Sequence, residues 1–294
     1  MARVALDFLA SLFHLLPIRS GLTRLSFNPL VNLLVLGDFD LGYARLRDGH
    51  RMEVAINDHD GRILYLFGTN DPKVEQTANS LLRPGDVFLD IGANYSYIGL
   101  SASHVVGPDG AVHLFEPQRK LADRVQKALD AGGYGNVTLH RVGLLDRDDK
   151  LLLRSPSHHS GMATFAQAGA SFEVVEDCEV KEISGYVGPL IANNRFGAKL
   201  DVEGSEPALM PWLLAQPNLS FLIFEAASNQ ASLYDSVRNS GLLLYGLRRD
   251  PLRLRADRVD HFDEMQKFHD LVAVKLSNGP KQAHPKNLSS DPIA

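Results

Sequence analysis

The chain has 294 residues, of which 45% are apolar and 22% charged; this suits a globular protein with one α/β domain plus an extension. Its 30 basic and 35 acidic residues give a net charge of −5. This argues against nucleic acid as a partner, because the affinity of a protein for nucleic acid depends on basic residues that neutralise the phosphates. The single cysteine, Cys178, excludes an intramolecular disulfide framework and fits a reducing compartment, so we expect a cytoplasmic protein.

Residues 1–36 are predicted to be helical and apolar. The run 4–16 is broken by Asp7 and His14, is too short to span a bilayer and is followed by no convincing cleavage site. Such a helix could lie at a membrane surface, but its low basic content gives little attraction to anionic lipid. We therefore favour docking on the core or on a second subunit, which leaves a homo-oligomer open.

Residues 41–68 are predicted to form short strands, with acid-then-glycine turns at 47–49 and 58–61. Helical spacing follows over 72–83, and Pro84-Gly85 ends that helix. We therefore predict a helical and β-rich extension over residues 1–70.

A strand–helix alternation begins at Asp86, with strands at 87–91, 111–115 and 137–142 and helices at 97–106 and 118–131. These apolar strands, which do not alternate with polar residues, predict a parallel sheet covered on both faces. The fold class is therefore α/β and Rossmann-like. Right-handed crossovers place the functional site at the carboxyl ends of the strands.

The interval 143–197 interrupts this pattern with a polar stretch, 155–170, and a partly exposed strand, 172–180. A loop of this length predicts a lid or a binding element. His158 and His159 lie in it, and a solvated histidine pair is favoured over a catalytic base.

Regular structure resumes with a strand at 198–202, a helix at 206–215 and an apolar strand at 219–224. A helix at 231–240 and strands at 241–247 and 269–276 follow. The arginine-rich stretch 248–258 is interpreted as a connector, and residues 277–294 as a disordered tail.

Two acids mark a cofactor site. Asp90 ends one strand before a turn that contains Gly92 and Asn94, and Glu116 ends the next strand. Glu116 suits the vicinal hydroxyls of a ribose, and Gly92 allows close approach of the backbone. The missing Gly-x-Gly-x-x-Gly pattern argues against a nicotinamide oxidoreductase, and the Asp90 carboxylate would repel a pyrophosphate but attract an ammonium or sulfonium. The sequence therefore predicts S-adenosylmethionine, although Asp90 could instead be a turn acid and Glu116 a helix cap.

A second acidic cluster follows the strand at 198–202 and contains Asp201, Glu203 and Glu206. Methyl transfer needs a positioned acceptor, and a hydroxyl acceptor also needs a base, for which Asp201 is the first candidate. Glu206 could instead stabilise the start of a helix, and Glu225 would complete the acidic rim. Three oxygen ligands could hold Mg²⁺ or Ca²⁺, but no His or Cys ligand spacing accompanies them, so no metal is predicted.

These segments resemble the FkbM family of S-adenosylmethionine-dependent methyltransferases over residues 65–276. The matching elements are Pro84 to Asn94, Phe115 to Pro117, Lys199 to Glu206, Phe224-Glu225 and Asp270 to Val274. The resemblance implies a seven-stranded methyltransferase core, assigned here to residues 71–276, and O-methylation of a saccharide or secondary metabolite. It also implies that Asp90, Gly92, Asn94 and Glu116 bind the cofactor and that Gly143 lies where the adenine is usually held.

Ser96 departs from this family, which commonly has glycine at that position. We assign Ser96 to the cofactor-binding turn, where a positive φ would strain it by about 1 kcal/mol. This departure leaves an alternative open, a catalytically silent protein of the same fold that binds a glycan or a protein partner.

Overall fold

The computed structural model describes residues 2–16, 20–35, 41–165, 172–226, 230–248, 250 and 253–275. The predicted disordered tail, 277–294, lies outside these residues. Within the described ranges, no helix combines the length and the apolar character needed to cross a bilayer.

The N-terminal part contains the predicted helices but only half of the predicted strands. Its helices are α1 (Ala2–His14), α2 (Leu22–Ser26) and α3 (Pro29–Val35). Strands β1 (Leu41–Arg45) and β2 (Arg51–Ala55) then form an antiparallel hairpin. The prediction of a turn at 58–61 followed by strand up to residue 68 is wrong: these residues form helix α4 (His59–Phe67), and α5 (Pro72–Leu81) follows.

The carboxylate of Asp58 explains why α4 is a helix. It accepts a hydrogen bond from the N–H of Gly61 at 3.0 Å and so caps the first turn. The apolar run from Ile63 to Phe67 is buried on every side, and in such a short run the sequence alone does not distinguish a helix from a strand.

The first half of the central sheet agrees with the predicted alternation. Its elements are β3 (Val87–Ile91), α6 (Tyr97–Val106), β4 (Ala111–Phe115), α7 (Arg119–Gly132) and β5 (Val137–His140). The three strands are parallel neighbours.

The interval 143–197 is more regular than a lid loop. It contains a separate sheet of three strands, β6 (Gly143–Leu145), β7 (Asp149–Ser155) and β8 (Glu173–Glu182), and then helix α8 (Ile183–Ile191). The strand predicted at 172–180 is confirmed, and Cys178 and Val180 are its buried residues. Residues 156–165 contain a single 3-10 turn (Ser160–Met162) and lie beside the site.

The second half of the sheet has one strand more than predicted. Its elements are β9 (Phe196–Leu200), α9 (Glu206–Ala215), β10 (Leu219–Glu225), α10 (Gln230–Ser240), β11 (Leu243–Arg248), β12 (Arg255–Val259), α11 (Phe262–Met265) and β13 (Asp270–Val274). The predicted connector therefore contains β12, which pairs with β11 at the sheet edge. It buries Ala256 and Val259 and turns charged residues outward, as edge strands commonly do.

The strand order is β12-β11-β13-β10-β9-β3-β4-β5, and β13 is antiparallel to both of its neighbours. This is a Rossmann-like α/β sheet in which seven strands agree with the predicted core and β12 is an addition. Strands β4 and β5 follow β3 on one side, whereas β10 and the later strands follow β9 on the other side. The point at which the strand order reverses, the switch point, therefore lies between β3 and β9. Ligands bind at such switch points, beyond the carboxyl ends of the strands.

The N-terminal part packs onto one face of this sheet. Met52 and Ile63 belong to the same apolar cluster as Leu100 of α6 and Val125 of α7. Helix α1 docks on this cluster through buried side chains, in agreement with the prediction. The division of the chain near residue 70 stays a prediction.

Candidate active site

A cleft opens at the carboxyl ends of β3, β4 and β9 and contains about 540 Å³ of free space, part of it open to solvent. Six of the nine predicted site residues line it: Gly92, Asn94, Glu116, Gly143, Asp201 and Glu203. The other three, Asp90, Ser96 and Glu206, lie behind its wall.

Glu116 follows β4 and lies at the base of the cleft, only 3% exposed. One carboxylate oxygen accepts a hydrogen bond from the N–H of Asn94 at 2.7 Å, and the other accepts one from the N–H of Gln118 at 2.8 Å. Burial raises the pKa of Glu116 to about 7, although both N–H groups favour the carboxylate. Each oxygen retains a lone pair, so the ionised group suits a ligand with two adjacent hydroxyls.

Gly92 is required by the neighbouring loop rather than by a ligand. Its φ is 77°, in the left-handed region, and a Cβ there would lie 1.7 Å from the carbonyl oxygen of Asp201. The turn after β3 and the turn after β9 therefore pack backbone to backbone, which a larger residue would prevent.

Asn94 connects this turn to the N-terminal part of the chain. It has a positive φ of 50°, and its side-chain amide donates to the carboxylate of Asp60 at 2.9 Å. Asp60 lies in α4, is 6% exposed and also accepts a hydrogen bond from Asn70. The sequence analysis did not predict a role for Asp60, because nothing local connects it to the turn.

Asp90 does not line the cleft, although the sequence predicts that it binds the cofactor. It is 1% exposed, accepts a hydrogen bond from the N–H of Gly99 at 3.0 Å, and lies 3.3 Å from the ammonium of Lys199. Asp90 and Asp201 raise the pKa of Lys199 against the effect of its burial. Lys199 also donates to the carbonyl of Gly92 at 2.8 Å, so this buried pair holds the ends of β3 and β9 together.

Ser96 occupies the conformation that the sequence analysis identified as a source of strain. Its φ is 57°, and it precedes α6 without a capping hydrogen bond from its side chain. Its hydroxyl is buried with no hydrogen-bond partner among the described residues. It thus shapes the turn from behind and does not line the cleft.

We expect Ser96→Gly to raise the free energy of unfolding by about 1 kcal/mol, since glycine relieves the positive φ and removes the unpaired hydroxyl. Ser103→Gly is the matched control, because Ser103 is buried in the middle of the same helix, where glycine should cost about 1 kcal/mol. Urea denaturation measures both changes. A loss of stability in both variants would show that the turn does not strain Ser96.

Gly143 lies in an apolar wall on one side of the cleft. The other members of this wall are Phe115, Val142, Leu144 and Phe165. A Cβ at Gly143 would lie 2.7 Å from the ring of Phe165, so glycine allows that ring to pack against the strand. A flat apolar group suits this wall better than a polar one.

Asp201 and Glu203 line the acidic side of the cleft, and Glu225 lies beside them; each of the three places a carboxylate oxygen within 4.8 Å of the others. Partial burial raises the pKa of Asp201, with Lys199 opposing and the nearby Glu225 and Glu203 adding to the rise. Burial and neighbouring acids raise the pKa of Glu203 to about 7. The carboxyl groups of Asp201 and Glu203 therefore titrate together, so at neutral pH this pair can hold a proton or accept one.

His269 stabilises the far edge of this cluster. Its Nε2 lies 2.9 Å from the carboxylate of Glu225, and hydrogen bonds to Asp270 and Glu225 raise its pKa to about 10. His269 is therefore a cation at neutral pH and does not act as a base there.

For Glu206 the sequence left two roles open, catalysis and stabilisation of the start of a helix, and its contacts in the structure are of the second, structural kind. Its two carboxylate oxygens accept hydrogen bonds from the N–H groups of Val202 and Gly204, both at 2.9 Å. The carboxylate therefore shapes the turn between β9 and α9, and it is 5% exposed.

The segment 156–165 covers one side of the cleft and is fastened to the N-terminal part. Asp58 accepts hydrogen bonds from the N–H of Ser160 at 2.7 Å and from its hydroxyl at 3.0 Å. Ser160 and Gly161 both line the cleft. The two partners lie 102 positions apart, so no local pattern could have predicted this contact.

His159 is packed rather than solvated, which corrects the interpretation of the histidine pair. Its ring stacks on that of His59 with centroids 4.1 Å apart and planes 10° from parallel. These two rings and Asp60 form a second group with the spacing of metal ligands. Parallel stacking does not direct both rings toward one ion, as tetrahedral coordination requires.

Comparisons with known proteins find methyltransferases. No protein-family model matches the chain. The curated protein-L-isoaspartate O-methyltransferase of Ignicoccus hospitalis is 40% identical over 58 residues, which cover 20% of this chain and 28% of that relative. The chain thus matches little more than a quarter of this relative's length.

Similar solved structures include a methyltransferase FkbM from Methylobacillus flagellatus, which is 15% identical to this chain and has a TM-score of 0.40. The alignment covers 74% of this chain and 66% of that one. A SAM-dependent O-methyltransferase from Thermotoga maritima has 11% identity, with 84% and 96% of the two chains covered and a TM-score of 0.41. Similarity at this level does not establish a family, so membership of the FkbM family stays a prediction.

Proposed function

We propose that the protein is an S-adenosylmethionine-dependent methyltransferase that acts on a hydroxyl of a saccharide or secondary metabolite. One observation carries the proposal: Glu116, Asp201 and Glu203 line the same cleft and are joined by the turn of Gly92 and Asn94. Asn94 contacts Glu116 at one end of the turn, and Gly92 packs on Asp201 at the other.

The residues of the cleft fit this cofactor in three parts. The wall formed by Phe115, Val142 and Phe165 suits a purine ring, and Glu116 suits the two ribose hydroxyls. The acidic cluster suits the positive charge of the sulfonium and of the amino-acid ammonium. Asp90 supports the site through Lys199 and does not contact the ligand.

When bound, S-adenosylmethionine supplies a methyl group that is transferred as a new C–O bond forms and its bond to sulfur breaks. The chain has to orient the acceptor hydroxyl in line and to receive its proton. We assign this proton to Asp201, whose pKa burial raises well above its usual value. Glu203 lies beside it, and its pKa of about 7 also suits a general base. The segment at Ser160 and Gly161 limits the access of water to the cleft.

We expect the affinity for S-adenosylmethionine to fall as the pH drops below 7. The pKa of Glu116 is raised to about 7, so acidification converts it from a double acceptor to a neutral acid. If only the carboxylate holds the ribose, the dissociation constant rises about tenfold per pH unit below that value. Isothermal titration between pH 5.5 and 8.5 measures the change, and Glu116→Gln should remove the share that comes from Glu116 and leave the share that comes from Glu203, whose pKa is also about 7. A wild-type affinity that is constant over this range would contradict the role of Glu116.

The proposal is tested by isothermal titration with S-adenosylmethionine, S-adenosylhomocysteine and NAD, followed by an assay for methyl transfer to a panel of glycosides. Binding of the first two ligands, no binding of NAD and release of S-adenosylhomocysteine are expected. Binding without turnover on any acceptor, including a cell extract, would favour the silent alternative. A folded protein that binds neither adenosyl ligand would contradict the proposal.

A further inference from the structure

Helix α1 is apolar on both of its faces, although only one of them is packed. Its docked face includes Leu6, which is fully buried, and Ala10. The opposite face is exposed at a spacing of four residues, through Val4 (71% exposed), Phe8 (72%) and Leu12 (45%), and Leu15 (80%), just after the helix, continues it. A large exposed apolar surface usually marks an interaction site, so this second face calls for a partner.

Helix α3 adds to the exposed apolar surface. It packs beside α1, buries Val31, and leaves Leu30 (75% exposed) and Leu33 (66%) in solvent. Of the eleven large apolar side chains that are exposed among the described residues, seven lie between residues 4 and 33. We call the exposed residues Val4, Phe8, Leu12, Leu15, Leu30 and Leu33 the apolar face. Such a concentration is not the scatter of single apolar residues that ordinary surfaces show.

The charge of this region differs in sign from that of the rest of the chain. Residues 1–36 contain three arginines (Arg3, Arg19 and Arg24) and one acid, Asp7, whereas the other 258 residues contain 27 basic and 34 acidic ones. The carboxylate of Asp7 lies 3.4 Å from the guanidinium of Arg3, so this one acid is paired. Residues 1–36 therefore carry a net charge of +2, whose sign is complementary to an anionic surface.

We propose that the apolar face lies on the surface of a membrane that contains anionic lipids. Helix α1 has 13 residues, about 20 Å, which is too short for a span of about 30 Å but is sufficient for a helix in the interfacial plane. Phe8 and the leucines enter the boundary between headgroups and acyl chains, and the exposed Arg24 remains among the lipid phosphates. A second copy fits less well, because a symmetric dimer would bring together two segments of the same net positive charge. This proposal is independent of the catalytic role.

The test is sedimentation of the full chain with vesicles of phosphatidylcholine alone and of equal parts of phosphatidylcholine and phosphatidylglycerol. We expect binding to the anionic vesicles that weakens with added NaCl, and Phe8→Glu should lower the apparent affinity about tenfold or more. Leu152→Glu is the matched control, because Leu152 is 43% exposed on β7, outside the apolar face, and it should bind like the wild type. Circular dichroism checks that both variants are folded.

Three outcomes would overturn the proposal. The first is no binding to either kind of vesicle, and the second is equal loss of binding in Phe8→Glu and Leu152→Glu. The third is a dimer, measured by light scattering, that Phe8→Glu dissociates, because the apolar face would then be covered by a second copy. Equal binding to neutral and anionic vesicles would contradict the part assigned to charge.

Discussion

Glu116→Ala is expected to raise the dissociation constant for S-adenosylmethionine about 100-fold, because it removes both hydrogen-bond acceptors for the ribose hydroxyls. Hydrogen bonds to a charged group contribute about 1.5–3 kcal/mol each, and the N–H groups of Asn94 and Gln118 also lose their acceptor. Isothermal titration measures the change. Glu53→Ala is the matched control, since Glu53 is a partly buried acid in an ion pair with Lys127, on β2 and outside the cleft.

The control should bind the cofactor within about twofold of the wild type, and circular dichroism should show that both variants fold. A Glu116→Ala variant that binds like the control would mean that Glu116 only closes the turn at Asn94. The ribose would then have to be held by another group.

Asp201→Asn is expected to lower kcat by about 10²–10³-fold and to raise the dissociation constant for the cofactor by a smaller factor, about tenfold or less, because one of the carboxylates near the sulfonium loses its charge. Asparagine keeps the shape of the side chain but cannot take the proton of the acceptor hydroxyl. Initial rates of S-adenosylhomocysteine release, with an acceptor identified in the glycoside panel, measure the effect. Asp257→Asn is the control, because Asp257 pairs with Arg248 and lies outside the acidic cluster.

An unchanged kcat in Asp201→Asn would show that Asp201 is not the base. If Glu203→Gln then lowers kcat instead, the proton goes to the neighbouring carboxylate, whose pKa is raised to about 7. A fall in kcat of the same size in Asp257→Asn would point to a general loss of folded protein.

The elements that the sequence predicted well are those whose signal is local. The strands at 87–91 and 111–115 are short apolar runs between helices, and the start of α9 at Glu206 is confirmed. Cleft residues such as Glu116 were found because they follow a strand directly. Parallel strands bring their carboxyl ends to one edge, so position along the chain predicts position in space.

The features that the sequence did not predict depend on contacts between distant segments. Asp60 contacts Asn94 from the first turn of a helix, where the sequence predicts a turn and then a strand, and Asp58 contacts Ser160 across the insertion. For Asp90, the end of a strand was predicted correctly, but the direction of its side chain depends on Lys199 in a neighbouring strand. A carboxylate at a strand end faces either the ligand or the sheet, and only the packing decides between them.

The most direct test of the central claim is a crystal structure of the protein with S-adenosylhomocysteine. The account predicts the ribose hydroxyls within hydrogen-bond distance of the Glu116 carboxylate, the adenine against Phe115 and Val142, and the sulfur facing Asp201. A nucleoside bound elsewhere, or one whose ribose makes no contact with Glu116, would contradict it.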